Sequence, residues 1–500
     1  MLGCLNIIDI NVLFFVTISV EIIHLCLAIS NESDSFLYGK FPAGFKWGAA
    51  TAAYQIEGGY NIDGKGPNIW DVYVQQPGNI QDNSTGNVAC DSYHKYKEDV
   101  NLLHNIGANS YRFSISWSRI MPSGSNTTNP KGINYYKNLI GELKKYNITP
   151  MVTLYHNDLP EQLQRYGGWL NEEIVDLFAE YARVCFREFG DDVKYWITLN
   201  EPWGTASLGY GLAIGAPGVW GPGTNTYIVG HNMIKAHAAA YHVYTTEFKS
   251  FQQGEVGITL NVNWFEPLNI NSQSDLDAQD RGLQFLFGWF AHPIFANGDY
   301  PDIMKALIRN KTEELTPGSP SRLPTFSPSE IRTNKGTADF LGLNFYSSTK
   351  ITSRVNHCNP PTYDCDSDTF KEEDTSWNGQ SSPSGLRKML NWIKREYNDP
   401  TVYITENGAQ DKTGTLVDTE RINYMKHYIN EALKAIKLDN CNLKGYLCWS
   451  LMDNFEWISG FSVKFGLHHV NFTDPNRTRT PKASSKFYAN IIKENGFLMK

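Results

Sequence analysis

Two short stretches of the chain each bring a glutamate to the end of an apolar run. In "YWITLNEPW" (195–203), a run typical of a buried strand leads into Asn200 and Glu201. In "TVYITENG" (401–408), a similar run leads into Glu406. Two carboxyl groups that share one cavity can cleave a glycosidic bond, because one protonates the leaving oxygen while the other attacks the anomeric carbon or activates water. The first question is therefore whether these two side chains meet.

The polar residues at the ends of other runs suggest different roles for the two glutamates. We expect Arg112 to lie near Glu406 and to stabilise its negative charge, as a nucleophile requires, and Tyr346 to donate a hydrogen bond to the same carboxylate. Asn200 could hold the 2-hydroxyl of a sugar. Burial and the nearby anion should raise the pKa of Glu201, so that it first donates a proton and later accepts one from water. A separation of about 5–5.5 Å would make Glu406 the nucleophile and retain the stereochemistry.

Eight β-type runs alternate with helical patterns, and several are apolar on both faces, as parallel strands covered by helices should be. The runs are residues 45–55, 110–117, 149–156, 195–202, 255–264, 339–348, 401–408 and 443–454. This order predicts the α/β class and one (β/α)8 TIM barrel with long loop insertions, covering residues 38–498. The Pro/Ser-rich stretch 315–330 and the polar stretch 353–385 are expected to be long loops within that domain.

In such a barrel the active site lies where the strands end. The runs end in polar or aromatic groups: Gln55, Arg112, His156, Asn200 with Glu201, Asn263, Asn344 with Tyr346, Glu406, and Trp449. A strand end is often polar merely because it meets solvent. That explanation covers any one of these residues but covers the whole set poorly, so we expect Glu201 and Glu406 to face each other across one barrel mouth.

Five stretches in fixed order carry a family resemblance: "FPAGFKWGAATAAYQIEG", "YRFSISWSRIMP", "TLNEP", "ITENG" and "WSLMDNFEW". From about Phe41 to about Phe497 the chain resembles glycoside hydrolase family 1, the β-glucosidase family, and particularly its secreted animal members, such as those of insects. The resemblance implies a retaining β-glycosidase that acts on terminal β-D-glucosyl residues, with galactosyl or fucosyl residues as alternatives. It assigns Glu201 as acid/base and Glu406 as nucleophile, and it implies no cofactor.

The resemblance also implies a substrate-binding set around the sugar ring (the glycone). Its members are Gln55, His156, Asn200, Tyr346, Trp449, Glu456, Trp457 and Phe465. Amides, imidazole and carboxylates can bond paired sugar hydroxyls, and indoles cover apolar sugar faces. One departure is visible, because Asn157 in "YHNDLP" stands where the family usually has an aromatic residue.

Three alternative functions stay open. A receptor-like family member that only binds sugar would have lost one carboxylate, whereas both glutamates are present here. A thioglucosidase for sulfated substrates would place Lys or Arg near the acid/base; the loop that follows Glu201 has neither, although other loops could supply a cation. A transglycosidase would use the same catalytic residues, so the sequence does not separate it from a hydrolase.

Composition excludes several partners. The 500 residues carry a formal charge of −8, which argues against nucleic acid and anionic membranes. No metal site is expected, because adjacent His468 and His469 on a strand-like run would point to opposite faces. Small β-glycosides or short oligosaccharides are the expected partners, and the sequence leaves homodimerisation open.

The N-terminus and the cysteines suggest secretion. Residues 1–28 resemble a signal peptide, although no basic residue precedes the apolar run; a short membrane anchor is the alternative, disfavoured because Glu21 interrupts the run. Cys358 and Cys365 flank a Pro-rich polar loop and are expected to form a disulfide, whereas the other mature cysteines are expected to be mostly free and buried. The expected glycosylation sites are Asn31, Asn83, Asn126, Asn310, Asn471 and Asn476. A seventh sequon at Asn147 leads into a strand and is expected to be shielded.

Overall fold

A computed structural model describes residues 35–376 and 381–499 of the chain. The signal peptide predicted for residues 1–28 and the sequon at Asn31 lie outside these residues. In the described part, no helix is both long and apolar enough to cross a bilayer.

Eight parallel strands close into a barrel, which confirms the predicted (β/α)8 fold. In chain order they are β1 Lys46–Ala50, β2 Ser110–Ser114, β3 Thr149–Tyr155, β4 Tyr195–Asn200, β5 Glu255–Pro267, β6 Phe340–Ser353, β7 Val402–Asn407 and β8 Leu443–Trp449. Each strand pairs in parallel with the next, and β8 pairs with β1, so the eight strands form a closed barrel. The strands are buried on both faces, because helices cover the outside of the barrel and side chains fill its inside.

Helices surround this barrel. Those of two or more turns are Ser92–Asn105, Pro130–Lys145, Ile174–Phe189, Asn225–Val243, Gln273–Leu283, Asp302–Leu315, Pro328–Asn334, Ser384–Glu396, Thr419–Lys437 and Ala483–Glu494. Short α-helices are Ala53–Ile56, Ile69–Tyr73, Trp117–Ile120, Glu161–Arg165, Lys249–Gln252, Trp289–Ala291 and Tyr363–Asp366. Single π or 3₁₀ turns are Gly168–Leu170, Gly204–Gly209, Tyr244–Phe248, Gln284–Gly288, His292–Ala296 and Trp457–Ser459.

The remaining strands lie outside the barrel. Gly39–Lys40 pairs with Gly496–Phe497 and joins the two ends of the domain, and His468–Val470 pairs with Arg479–Pro481. Strand Thr369–Glu373 pairs antiparallel with the outer end of β6. The expectation that 353–385 is only a loop was therefore wrong: β6 continues past the barrel mouth, and its outer end offers an edge to which Thr369–Glu373 binds.

The cysteines and sequons can be placed in this fold. Cys358 and Cys365 form the predicted disulfide, and Cys90, Cys185, Cys441 and Cys448 are free and buried. The sequon asparagines in the described residues are all exposed: Asn83, Asn126, Asn147, Asn310, Asn471 and Asn476. The expectation that Asn147 is shielded was wrong, because this residue forms a left-handed turn (φ 55°) before β3 enters the barrel.

Candidate active site

The carboxylate of Glu406, at the end of β7, has a hydrogen-bond donor on each oxygen. Arg112 on β2 is fully buried and donates to Glu406 Oε1 at 2.6 Å, while the Tyr346 hydroxyl on β6 donates to Oε2 at 2.7 Å. A second guanidinium nitrogen of Arg112 donates to Asn200 Oδ1 at 2.5 Å. These charge-assisted bonds orient the carboxylate and stabilise its negative charge.

Glu201 follows β4 directly and has a different environment. Its backbone has a φ of 45°, in the left-handed region that non-glycine residues seldom adopt. Asn344 Nδ2 donates to Glu201 Oε1 at 2.6 Å and to Asn200 Oδ1 at 3.1 Å. Burial and then the charge of Glu406 raise the pKa of Glu201 to about 8, against the opposing effect of the Asn344 bond. Glu201 is therefore protonated at neutral pH, as a general acid must be.

His156, at the end of β3, lies between two indole rings. Its ring stacks with those of Trp449 and Trp457, with centroids 5.9 Å apart in each pair. Its Nε2 lies 3.0 Å from Asn200 Nδ2. Burial, and then the charge of Arg112, hold the pKa of His156 well below its usual value, so the imidazole is neutral and suited to bonding an uncharged hydroxyl.

Gln55 and Glu456 belong to a second hydrogen-bonded group of the site. Gln55 lies on the short helix after β1, and its Nε2 donates to Asn454 Oδ1 and the Phe455 carbonyl, each at 2.9 Å, and to Glu456 Oε2 at 3.4 Å. Burial raises the pKa of Glu456 to about 8, a bond from Trp449 opposes this rise, and the charge of Glu406 adds to it.

Phe465 contacts the Tyr346 ring edge-on, with centroids 6.0 Å apart. We call the following residues the inner site: Gln55, Arg112, His156, Asn200, Glu201, Asn344, Tyr346, Glu406, Trp449, Glu456, Trp457 and Phe465. Three of its buried polar atoms have no hydrogen-bond partner within the described protein: Gln55 Oε1, His156 Nδ1 and Glu456 Oε1. Buried polar atoms are rarely left unbonded, and hydroxyl-rich ligands supply both donors and acceptors. The described residues contain no cluster that could hold a metal ion.

A cavity of about 410 Å³, which we call the outer pocket, leads away from Glu201. Its walls combine apolar and aromatic residues, including Trp203 and Phe265, with polar and charged residues, including Asp364 and Lys371. The apolar residues suit a ring or chain attached to the sugar (the aglycone). The outer pocket takes its lining from the segments that follow β4, from β5 and β6, and from residues 362–371, which were predicted only as part of a long loop.

The structure brings every predicted inner-site residue together at one barrel mouth. Sequence reasoning noticed Asn344 only as a polar strand end and missed its contact with Glu201. Asn157, the departure from the family pattern, has a left-handed φ of 65°, which asparagine tolerates well, and accepts a bond from the Thr205 hydroxyl at 2.6 Å.

Comparison with known proteins agrees with this geometry. The family model for glycosyl hydrolase family 1 matches residues 37–497, so the chain belongs to that family.

Named relatives share about half of its residues. Human lactase/phlorizin hydrolase is 51% identical over 93% of this chain, which spans only 24% of that protein's length. Myrosinase 1 of Brevicoryne brassicae is 47% identical over 91% of this chain and 98% of its own. The solved structure of aphid myrosinase is 46% identical, with a TM-score of 0.88 over 91% of this chain and 99% of its own.

Proposed function

We propose that the protein is a retaining β-glycosidase that hydrolyses terminal β-D-glucosyl residues of small glycosides or short oligosaccharides. The observation that carries this proposal is the contrast between two carboxyl groups at one barrel mouth. Glu201 has a pKa raised to about 8, whereas both oxygens of Glu406 accept bonds from Arg112 and Tyr346. Environments that separate two carboxyl groups in this way support one acid and one nucleophile.

The proposed reaction has two displacements. In the first, Glu406 attacks the anomeric carbon while Glu201 gives its proton to the glycosidic oxygen, so the bond to the aglycone breaks and the aglycone leaves as an alcohol. In the second, Glu201, now a carboxylate, takes a proton from water as the oxygen of that water attacks the anomeric carbon. Glu406 then leaves as a carboxylate, and the sugar keeps its β configuration.

The inner site supports the choice of a sugar as substrate. The orphaned polar atoms belong to Gln55, His156 and Glu456, and the His156 ring stacks with Trp449 and Trp457. An indole face packs against the C–H face of a pyranose, while the polar atoms bond its hydroxyls. Glu456 would disfavour a phosphorylated sugar, because it places a carboxyl group where a phosphate would need a cationic side chain.

Azide rescue tests the proposal. We expect Glu201→Ala to lose activity on 4-nitrophenyl β-D-glucoside and to regain part of it with sodium azide, giving β-glucosyl azide by NMR. An α-azide would contradict retention. A wild-type protein that binds glucosides without turning any over would contradict hydrolysis and favour a binding protein. Parallel assays with an S-linked glucoside and with alcohol acceptors separate the thioglucosidase and transglycosidase alternatives.

We also propose that the protein is secreted. The Cys358–Cys365 disulfide and the exposed sequon asparagines support an oxidising compartment. Expression of the full chain in insect cells should place it in the medium, with a mass that falls after N-glycosidase treatment. Retention inside the cells with an uncleaved N-terminus would contradict this.

A further inference from the structure

The outer pocket carries a lysine whose charge is not neutralised by contact. Lys371 lies on strand Thr369–Glu373, opposite Ile351 of β6, and lines the same cavity as Glu201. Its ammonium group lies 5.3 Å from the centre of the Phe265 ring, a cation–π arrangement. Within the described parts of the chain, no carboxylate forms an ion pair with this ammonium group. By contrast, the ammonium group of Lys311 forms an ion pair with Asp368 at 2.7 Å.

Hydrogen bonds and ion pairs anchor residues 365–368, which precede the strand that carries Lys371. The buried Asp366 carboxylate accepts two bonds from Arg322, at 2.7 and 2.9 Å, and one from the Tyr227 hydroxyl at 2.5 Å. Lys311 donates to the Cys365 carbonyl at 2.9 Å and to Asp368. These contacts hold the backbone just before strand Thr369–Glu373, which carries Lys371.

Desolvation adds a second reason why this cation needs an anionic partner. Although much of the Lys371 side chain is exposed, crowding around its ammonium group lowers its pKa, and the charge of Asp364 only partly opposes that effect. A bound anion would favour the charged form. The apolar wall between Glu201 and Lys371, including Trp203 and Phe265, would meanwhile cover an apolar aglycone body.

We propose that Lys371 makes the enzyme selective for β-glycosides whose aglycone combines an apolar body with an anionic group, such as a carboxylate or a sulfate. The inference rests on the proposed glycosidase function and names the substrate class of that same site. The sugar occupies the inner site, the scissile oxygen lies beside Glu201, and the anion bonds the Lys371 ammonium group at the far end of the outer pocket. Asp364 and Glu201 also line this cavity, so selectivity depends on the anion lying nearer to Lys371 than to either carboxyl group.

The test compares paired substrates. Aryl β-D-glucosides carry either a carboxylate or the isosteric carboxamide, attached to the ring directly or through one methylene group, and a sulfonate analogue forms a third arm. The measured quantity is the kcat/KM ratio of the anionic to the neutral substrate, in wild type and in Lys371→Met. Dividing the wild-type ratio by the variant ratio removes the difference in leaving-group chemistry.

We expect the wild-type ratio to exceed the Lys371→Met ratio by about 10- to 30-fold in at least one pair, the lower part of the range for hydrogen bonds to charged groups, because Lys371 is exposed. Lys371→Arg should keep most of the effect, and added salt should reduce it. Lys350→Met is the matched control, because Lys350 is the neighbouring lysine of the same sheet, lies opposite Glu372 in the strand register, and does not line the cavity. Asp364→Asn should raise the ratio, because it removes a competing negative charge.

The outcomes separate this inference from the proposed function. If wild type fails to hydrolyse 4-nitrophenyl β-D-glucoside, the glycosidase proposal fails. If wild type and Lys371→Met hydrolyse the neutral substrates equally and show the same ratio in every pair, the glycosidase proposal stands and the role of Lys371 is refuted. The role of Lys371 would also be refuted if Lys350→Met and Lys371→Met changed the ratio equally, because the effect would then come from general surface charge.

Discussion

The inner site and the outer pocket share Glu201, Asn344 and Tyr346 but are built differently. The inner site is made largely of residues at the ends of barrel strands, and its polar groups form a continuous hydrogen-bonded chain from Glu201 through Asn344, Asn200 and Arg112 to Glu406. The outer pocket takes much of its wall from long segments outside the barrel. The ends of barrel strands hold catalytic side chains in fixed positions, whereas loops can change in sequence and length without moving those side chains. We therefore expect changes in the two regions to affect different kinetic parameters.

The largest expected effect tests the inner site. Glu406→Gln should lower kcat on aryl β-glucosides by about 1,000-fold or more, equivalent to at least about 4 kcal/mol, because an amide cannot form the covalent intermediate. Steady-state and single-turnover kinetics measure this, while ligand titration should show that glucose binding persists. Glu420→Gln, on the exposed surface of helix Thr419–Lys437, is the matched control and should keep full activity. A Glu406→Gln turnover within tenfold of wild type would refute the assignment.

Asn344→Ala should have the next largest effect. Asn344 positions the Glu201 carboxyl and connects it to Asn200, and misplacement of a reacting group by about 1 Å can lower the rate by about 100-fold. We expect a 10- to 100-fold loss in kcat, by that principle, with little change in KM. The bond from Asn344 also lowers the pKa of Glu201, so the basic limb of the pH profile should move to higher pH. A variant with lower activity and an unmoved limb would point to a structural role alone.

The pH profile itself gives the third prediction. Glu201 must be protonated in the first step, and its pKa is raised to about 8. The active form is therefore fully present below that pH and is lost as pH rises through it. We expect kcat/KM for phenyl β-D-glucoside to fall about tenfold per pH unit above pH 8. A 2,4-dinitrophenyl leaving group needs no proton, so its profile should be flatter.

Glu456 provides the control for that profile, because its pKa is also raised to about 8. Glu456→Gln should lower activity through lost sugar contacts but leave the basic limb in place, whereas Glu201→Gln should abolish the limb. A limb that disappears in Glu456→Gln and persists in Glu201→Gln would reverse the assignment of the acid.

The same difference between the two regions explains what the sequence could predict. β4 and β7 are short apolar runs that end in Asn200–Glu201 and Glu406, so both the strand and its polar end follow from local patterns. Arg112 and His156 follow in the same way from β2 and β3. Lys371 does not, because its position depends on strand Thr369–Glu373 finding the outer edge of β6, a pairing that no local periodicity encodes. The bond from Asn344 to Glu201 joins residues 143 positions apart and needs the closed barrel.

The smallest expected effect concerns the disulfide that closes the insertion of the outer pocket. Cys358 and Cys365 are separated by seven positions, and the loop between them carries Thr362, Tyr363 and Asp364 of the pocket wall. Replacing both cysteines by serine removes a chain constraint of about 2–3 kcal/mol in the loop-entropy picture. Asp366 and its bonds to Arg322 remain, so we expect local loosening of the wall and no loss of the barrel.

Kinetics can separate local loosening from general destabilisation. In the double serine variant, kcat/KM for aglycones that extend into the outer pocket should fall about two- to fivefold through KM, corresponding to about 0.4–1 kcal/mol, while 4-nitrophenyl β-D-glucoside is hydrolysed almost as before. Treatment of the wild type with a reducing agent should reproduce this, because the free cysteines of the described chain are buried. If small and extended substrates lose activity in parallel, the inner site depends on the insertion, and the barrel alone does not hold its geometry.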